Sequence, residues 1–370
     1  MSQTVSQSMS STASQAKTLM IMAAGTGGHI FPGIAIAETM RARGWNVSWL
    51  GTLKGMEAQI VPKHDIAMDS LDFSGLRGKG ILHTLTGGFK LLASFARCFG
   101  IVGKRKPDVV LGMGGYVTVP GGLMAVLRGK PLVLMNADAA LLLSNKALSP
   151  FANKLLFGLP SLLKLGSRKM IVTGNPVRQD ICQLAPPPVR YAAREGVLNI
   201  LVVGGSLGAR VLNETIPAAL ALIPIALRPT ITHQSGKQQA DALRQSYAEK
   251  GMAAEVLEFI DDMPSRYAKA DLVICRAGAI TVSELNAAGV ASILVPFVAS
   301  STSHQTENAL WMEREKAGIF LPQSELNASS LAQKLQTMNR AQCLEMAQIA
   351  YALGKREANE TIATILEELV

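Results

Sequence analysis

Short runs of apolar residues recur along this chain, and longer stretches with helical spacing separate them. Strands that are apolar along their whole length are buried on both faces, which is typical of parallel sheets covered by helices. The pattern is complete by residue 173 and begins again near residue 199. It therefore predicts two Rossmann-like doubly wound α/β domains that face each other across a cleft. The predicted strands are 19–24, 47–50, 109–113, 132–135, 155–158 and 170–173, then 199–203, 230–232, 256–260, 272–275 and 293–295.

The regions outside these two patterns predict a hinge, a tail and a last helix. The stretch between the patterns is rich in proline, at Pro176 and Pro186–Pro188, so we expect the domain boundary near residues 175–178. Residues 1–17 are a polar tail that we expect to be disordered, and they lack the basic and apolar regions of a signal peptide. No run approaches 18 apolar residues, so no membrane span is expected. Residues 356–369 are predicted to form an amphipathic helix.

Composition narrows the classes of partner. The formal net charge of +9 favours an anionic partner, either a phosphate-bearing substrate or lipid headgroups, although a basic protein without such a partner is an alternative. Nucleic acid is disfavoured, because aromatic residues make up 5% of the chain and no basic run is interleaved with them. The four cysteines and five histidines lack the spacing of a disulfide framework or a zinc site, and no DxD motif follows a strand. We therefore expect no metal and no cofactor, and a reducing compartment.

Glycines cluster where the predicted strands end. In AAGTGGHIFPG (23–33), Gly25, Gly27 and Gly28 let the backbone turn tightly, and the N–H groups of the following helix favour an anion. The spacing is not GxGxxG, because position 30 is Ile30, so NAD binding is disfavoured. A tight strand-to-helix turn without a ligand is the alternative. Similar turns occur at 112–122, 204–210 and 275–284.

Three of these turns carry side chains suited to chemistry. His29 lies at a helix N-terminus, which lowers the pKa of an imidazole and suits a general base near neutral pH; a histidine that only hydrogen-bonds the backbone is the alternative. The Ser206 hydroxyl in the third turn suits a diphosphate. In the fourth turn, 279–281 offer backbone N–H groups, and the Glu284 carboxylate suits two ribose hydroxyls, with a solvated helix charge as the alternative.

Taken together, these motifs resemble the MurG family of bacterial N-acetylglucosaminyltransferases from Leu19 to the last helix. The stretches that carry the resemblance are AAGTGGHIFPG, FSGLRGKG (73–80), KPDVVLGMGGYVTVPGG (106–122), TGNPVR (173–178), GGSLGAR (204–210), FIDDM (259–263), CRAGAITVSE (275–284), VPF (295–297) and HQTENA (304–309). The resemblance implies the GT-B arrangement, in which the C-terminal helix crosses back to the first domain. It thus implies an N-terminal acceptor and membrane-facing domain of residues 18–176 plus 356–370, and a UDP-GlcNAc-binding domain of residues 177–355.

The activity implied by this resemblance is metal-independent, inverting transfer of GlcNAc from UDP-GlcNAc to the MurNAc 4-hydroxyl of lipid I, undecaprenyl-pyrophosphoryl-MurNAc-pentapeptide. The product is lipid II, an intermediate of peptidoglycan synthesis. His29 is then the candidate base on the acceptor hydroxyl, and Thr26, Gly27 and Gly28 face the acceptor diphosphate and the transferred sugar. The implied donor contacts are Ser206 at the diphosphate, Ile260 at the uracil, Ala279, Ile280, Thr281, Val282, Ser283 and Glu284 at the nucleotide, with Glu284 on the ribose, Gln305 at the GlcNAc hydroxyls, and Arg178 nearby.

Two segments depart from the family pattern. Where the family carries HEQN, this chain has Met135, Asn136, Ala137 and Asp138, so Asp138 stands where an asparagine contacts the donor sugar. A carboxylate accepts a hydrogen bond there but donates none. The loop 298–305 is also one residue longer. Another GT-B lipid glycosyltransferase, a sugar-nucleotide epimerase, and a non-catalytic binder of sugar nucleotide therefore stay open as alternatives.

A segment after residue 80 fits a membrane surface. Its apolar residues recur at helical spacing and cations surround them, a pattern that suits an anionic bilayer, and an amphipathic helix packed on the sheet is the alternative. The resemblance favours a peripheral membrane face on the cytoplasmic side of the bacterial inner membrane. The predicted patch consists of Ile81, Leu82, Leu85, Phe89, Lys90 and Arg97.

Overall fold

Two parallel sheets form the framework of the protein in a computed structural model, which describes residues 16–25, 27–72, 81–160, 169–205, 208–297 and 304–370. The strands are β1 (Thr18–Ala23), β2 (Asn46–Thr52), β3 (Ala67–Leu71), β4 (Val109–Gly114), β5 (Leu132–Asn136), β6 (Lys154–Phe157), β7 (Met170–Val172), β8 (Asn199–Val203), β9 (Thr230–Gln234), β10 (Glu255–Leu257), β11 (Leu272–Cys275), β12 (Ala291–Leu294) and β13 (Ile319–Phe320). Within the described residues, one sheet runs β3-β2-β1-β4-β5-β6-β7 and the other β10-β9-β8-β11-β12-β13. The predicted fold class is confirmed.

Helices connect the parallel strands and cover both sheets, because the chain needs a long crossover to begin the next parallel strand at the same end of the sheet. They are α1 (Gly27–Ala42), α2 (Glu57–Ile60), α3 (Ile81–Arg105), α4 (Thr118–Leu127), α5 (Leu143–Leu148), α6 (Gln179–Cys182), α7 (Pro187–Tyr191), α8 (Arg210–Ala221), α9 (Ala240–Glu249), α10 (Met263–Lys269), α11 (Ala279–Ala288), α12 (His304–Arg314), α13 (Ala328–Thr337), α14 (Arg340–Leu353) and α15 (Ala358–Glu367).

The observed strands differ from the predicted set at three places. β3 is an edge strand that is only partly buried, so its sequence AMDSL lacks the apolar run of a central strand. β13 is too short, at two residues, to show a pattern. The predicted strand 256–260 is wrong in its second half, because β10 ends at Leu257 and the chain turns there to let Asp262 cap α10 through the Ser265 N–H.

The first domain places α1 very close to its sheet. Trp49 on β2 is fully buried between the two layers, and a Cβ added at Gly33 would lie 2.5 Å from its ring. The Trp49 Nε1–H donates to the Ala23 carbonyl at 3.0 Å, at the carboxyl end of β1. Because only glycine fits at position 33, α1 packs tightly on β1 and β2, and its N-terminus lies beside the end of β1.

The last helix returns to the first sheet. Ile362 and Leu366 of α15 are buried in the same core cluster as Met40 of α1. Arg43, just after α1, forms ion pairs with Glu360 and with Glu367, the latter at 2.6 Å. The chain therefore passes through the second sheet and then packs its final helix against the first.

The helix α3 carries the predicted membrane patch. One face of α3 packs on the first sheet, where Cys98 and Val102 are buried. Leu92, Arg97 and Phe99 of the same helix are exposed. The structure does not describe the side chains of the other patch residues, which are Ile81, Leu82, Leu85, Phe89 and Lys90. Residues 1–15, most of the predicted tail, also lie outside the described part of the chain. Across the residues that the structure describes, no helix has both the length and the apolar character required to cross a bilayer.

Candidate active site between the two domains

The predicted glycine turns lie at two reversals of strand order. The order reverses between β1 and β4 in the first sheet and between β8 and β11 in the second. In doubly wound sheets, ligands bind outside the carboxyl ends of the strands at such a reversal. Each of these four strands is followed by one of the turns, so glycines lie at both reversals.

The first two turns contact each other. The Ala24 N–H donates to the Gly114 carbonyl at 3.2 Å, and a Cβ added at Gly115 would lie 2.3 Å from the Ala24 carbonyl oxygen. Gly114 and Gly115 have φ angles of +121° and +91°, a region that side-chain-bearing residues rarely adopt. The glycines after β4 are therefore required both by backbone conformation and by close approach to the turn after β1.

His29 lies beside these two turns, in the first turn of α1. A Cβ at Gly114 would come within 2.7 Å of the imidazole, so the ring packs directly on the glycine backbone, and its Nδ1 is buried. Burial lowers the pKa of His29 below its usual 6.5, while the nearby Asp138 carboxylate and the Met113 backbone favour the protonated form and partly offset this effect. The imidazole is therefore neutral at pH 7 and able to accept a proton.

Glu284 lies across the cleft, in the middle of α11. Its Oε2 accepts the Tyr267 hydroxyl at 3.1 Å, and its Oε1 lies 3.9 Å from Nε of Arg178 in the segment that joins the domains. Burial raises the pKa of Glu284, and the Arg178 guanidinium and the Tyr267 hydroxyl act in the opposite direction. The carboxylate is thus oriented by two partners and remains partly accessible.

Asn308 on α12 joins the second domain to the segment that departs from the family pattern. Its Nδ2 donates to the Asp138 carboxylate at 3.1 Å and to the Ala277 carbonyl at 3.0 Å, and its Oδ1 accepts the Ala139 N–H at 3.3 Å. Asp138 is therefore bound to the opposite domain while it stays close enough to His29 to affect the imidazole. It links the two halves of the cleft.

Asn175 makes a second link between the domains. It is buried at the predicted hinge, and its Nδ2 donates to the Ala137 carbonyl at 3.0 Å and to the Ser283 hydroxyl at 2.9 Å. The Ser283 hydroxyl is therefore engaged in this hinge contact, and its N–H lies beyond the first turn of α11, where helix N–H groups donate within the helix.

The other predicted site residues occupy varied environments. Ile260, Ala279 and Val282 are buried, and Gly27, Gly28, Ile280 and Thr281 are half-buried around the cleft. Gln305, at the start of α12, accepts the Phe297 N–H through Oε1 at 2.8 Å. Thr26 and Ser206 lie outside the described residues.

Three residues that the motifs did not single out help to build the site. Tyr267 orients Glu284. Gln234, at the end of β9, donates from Nε2 to the Gly205 carbonyl at 3.0 Å and so holds the third turn. Glu57 is buried beneath the first turn and accepts the Gly25 N–H. None of the three belongs to a glycine-rich stretch, and each acts across a gap of 17 or more residues, so sequence spacing contains no signal for them.

Within the described ranges, no group of three or more histidine, cysteine, aspartate or glutamate side chains could hold a metal ion. Arg178, which lies 3.9 Å from Glu284, brings a cation to the cleft, and helix N-termini favour anions there.

Two parallel-sheet domains with glycine turns at both strand-order reversals fit the GT-B class of nucleotide-sugar enzymes. The N-terminal domain of glycosyltransferase family 28 matches residues 19–157, and the C-terminal domain of that family matches residues 199–362. The chain belongs to glycosyltransferase family 28 and, within it, to the MurG family.

Individual relatives agree over nearly the whole chain. It is 64% identical over 354 residues, 96% of this chain and 99% of the relative, to the UDP-N-acetylglucosamine--N-acetylmuramyl-(pentapeptide) pyrophosphoryl-undecaprenol N-acetylglucosamine transferase of Janthinobacterium sp. (strain Marseille). It is 65% identical to the transferase of the same name from Herminiimonas arsenicoxydans, with the same two shares covered. The crystal structure of Acinetobacter baumannii MurG superposes with a TM-score of 0.82 at 37% identity, over 95% of this chain and 99% of that one. The predicted family is confirmed.

Proposed function

We propose that this enzyme transfers GlcNAc from UDP-GlcNAc to the MurNAc 4-hydroxyl of lipid I, with inversion at the anomeric carbon, to form lipid II. The observation that carries the proposal is the 64% identity, over 96% of the chain, to a transferase named for this donor and this acceptor. The alternatives of another lipid glycosyltransferase or an epimerase are not favoured, since the relatives reported above are named for this one transfer.

The second domain, residues 177–355, is proposed to bind the donor. The N–H groups of Ala279, Ile280 and Thr281 are the free donors at the start of α11, because the Val282 N–H already donates to the Gly278 carbonyl, and they suit the nucleotide at the crevice beyond β11. Val282, Ser283 and Glu284 follow on the same helix, in the stretch proposed to lie at the nucleotide. Glu284 accepts the ribose hydroxyls, and the two groups that orient its carboxylate support this role. Ile260 lies against the uracil, Ser206 on the diphosphate, and Gln305 at the GlcNAc hydroxyls, with Arg178 beside the donor.

The first domain, residues 18–176 plus 356–370, is proposed to bind the acceptor through Thr26, Gly27 and Gly28. In the transfer, the 4-hydroxyl oxygen bonds to the anomeric carbon while the bond from that carbon to the β-phosphate oxygen breaks. His29 takes the hydroxyl proton, and UDP leaves with the electron pair. Because Nδ1 of His29 is buried on Gly114, Nε2 is the nitrogen assigned to the substrate.

Negative charge builds on the departing diphosphate. Helix N-termini and Arg178 stabilise this charge, which supports a reaction that proceeds without a divalent metal. Asp138 stands where the family asparagine contacts the donor sugar, and it accepts a sugar hydroxyl there.

The acceptor carries a polyprenyl tail, so we propose that the enzyme works as a peripheral protein on the cytoplasmic face of the inner membrane. The exposed Leu92, Arg97 and Phe99 of α3 support this position, because apolar and basic side chains together suit an anionic bilayer surface. Ile81, Leu82, Leu85, Phe89 and Lys90, the rest of the predicted patch, belong to the same helix.

The proposal is tested by UDP release from UDP-GlcNAc in EDTA, with and without a short-chain lipid I analogue. We expect release that depends on the analogue and survives EDTA. His29→Gln should lower kcat at least about 100-fold with donor affinity retained, and His64→Gln, at a half-buried histidine of the same domain that pairs with Glu38, is the matched control. Release without the analogue, or none with it while UDP-GlcNAc still binds, would contradict the proposed acceptor.

A further inference from the structure

Glu57 is a carboxylate with no exposed surface, directly beneath the first glycine turn. It begins the short helix α2, after the loop that follows β2. Among the described residues it takes part in none of the ion pairs, so its charge is balanced by hydrogen bonds. A buried carboxylate without a cation is costly unless several donors point at it, and its surroundings should therefore be built to supply them.

Three donors converge on this carboxylate from two elements of the first sheet. Oε2 accepts the Gly25 N–H at 3.1 Å, just past the end of β1. Oε1 accepts the Thr52 N–H at 2.9 Å and the Thr52 hydroxyl at 2.6 Å, at the end of β2. The Thr52 hydroxyl oxygen in turn accepts the Gly55 N–H at 3.1 Å. Glu57 thus joins the glycine turn to the neighbouring strand.

The local sequence leaves room for this carboxylate. A Cβ at Gly55 would lie 2.2 Å from both Glu57 oxygens, and a Cβ at Gly51 would lie 2.7 Å from Glu57 Cγ. Gly25, the residue whose N–H is bound, has a φ of +106°, so the turn departs from regular backbone where Glu57 binds it. Fixing the Gly25 peptide fixes the direction in which the chain enters α1.

We propose that Glu57 is a positioning residue for the transfer, which sets the Gly25 peptide and thereby places Gly27, Gly28 and the His29 imidazole. This inference rests on the proposed function of that turn. An ionised carboxylate suits the role because both of its oxygens only accept, and three donors face them. In Glu57→Gln the side-chain NH2 group would face one of those N–H donors, and the glycine turn would have to move.

Asp108 provides a matched control at the opposite end of the same strand. Its Oδ2 accepts the Thr18 N–H at 2.7 Å, so it also binds a backbone N–H of β1 with a carboxylate, but far from the cleft. Glu57→Gln and Asp108→Asn therefore each disturb a contact between a carboxylate and a backbone N–H, one just past the end of β1 and one at its start. Only the first one bears on the glycine turn.

The decisive experiment measures kcat, KM and donor affinity for both variants. A misplacement of about 1 Å costs roughly 100-fold in rate, so we expect kcat of Glu57→Gln to fall between about tenfold and 100-fold with UDP-GlcNAc affinity unchanged. Asp108→Asn should keep the kcat of the wild type. Wild-type kcat in folded Glu57→Gln, or an equal fall in both variants, would overturn the positioning role.

A second measurement separates this inference from the proposed reaction. In 15N-glycine-labelled protein, the Gly25 amide proton should resonate downfield and move upfield in Glu57→Gln but not in Asp108→Asn; an unmoved resonance would refute the contact whatever the enzyme does. If Glu57→Gln does not fold, Thr52→Val removes one donor and should lower kcat in the same direction, and an unchanged kcat there would count against the role. Failure of wild-type transfer alone would refute the proposed function and leave the Gly25 result standing.

Discussion

His233 makes the stability of the second domain sensitive to mild acid. It lies on β9, fully buried, with Nδ1 2.9 Å from the Tyr247 hydroxyl and the two rings in edge contact. Burial lowers the pKa of this imidazole from 6.5 to about 3, so the folded protein keeps it neutral at both pH 8 and pH 5. The unfolded chain, in contrast, takes up a proton below 6.5. Acid therefore favours the unfolded state, and stability falls as the pH drops from 6.5 towards 3.

The size of this effect follows from the two pKa values. One pKa unit corresponds to about 1.36 kcal/mol, so His233 should cost about 2 kcal/mol of unfolding free energy at pH 5 relative to pH 8. In His233→Gln the titrating group is absent. The wild type should therefore lose about 2 kcal/mol more than the variant between these two pH values, and every other titrating group cancels in that difference.

Urea titrations at pH 8 and pH 5 measure this difference. Pulsed hydrogen exchange of peptides from β8 and β9 reads the unfolding of the second sheet by itself. Tyr247→Phe is the matched control, because it removes the hydroxyl and leaves the imidazole buried, so it should keep the wild-type pH dependence. If the wild type and His233→Gln lose the same free energy to within about 0.5 kcal/mol, the imidazole is not the acid-sensitive group. The reasoning would then be refuted.

Two further predictions concern the cleft and the membrane. Asp138 favours the protonated form of His29, so Asp138→Asn should lower the pKa of that base and move the acid limb of the kcat/KM profile to lower pH. Glu249→Gln removes a charge from an exposed position on α9 and should leave the pH profile unchanged. An acid limb at the wild-type pH in Asp138→Asn would contradict the effect of Asp138 on the pKa of His29. Lys90→Glu with Arg97→Glu should weaken binding to anionic vesicles in sedimentation assays, because two attractive charges become repulsive. Lys237→Glu with Lys269→Glu, the same charge reversal at two exposed lysines of the second domain, should leave vesicle binding unchanged. If Lys90→Glu with Arg97→Glu also binds as the wild type does, α3 is a helix packed only on the sheet.

The site residues that could be named in advance share a local signature. Gly25, Gly27 and Gly28 follow an apolar strand and precede a helix, and His29 and Glu284 lie within or beside such turns. These turns mark the carboxyl ends of strands, and the strand-to-helix change is readable within about ten residues. The positions of these groups along the chain are therefore predictable, whereas their partners are not.

The partners come from contacts between segments that are distant in the chain. Asn308 reaches Asp138 over a separation of 170 residues, and Asn175 reaches Ser283 over 108. Their side chains look like ordinary polar residues of a helix and a loop, so no periodicity distinguishes them. The segment 135–138 departs from the family pattern in sequence, and the structure shows that its aspartate is bound by the opposite domain.

Two parallel α/β domains with glycine-rich turns are predictable from the sequence, because burial on both faces and the absence of side chains at the turns are properties of consecutive residues. Which groups act together, in contrast, depends on the tertiary structure. Glu57 binds Gly25, Tyr267 orients Glu284, and Asn308 holds Asp138. Each of these contacts depends on the order of strands in a sheet or on the meeting of two domains. That order is selected by packing over the whole chain, which is why no single stretch of sequence reveals it.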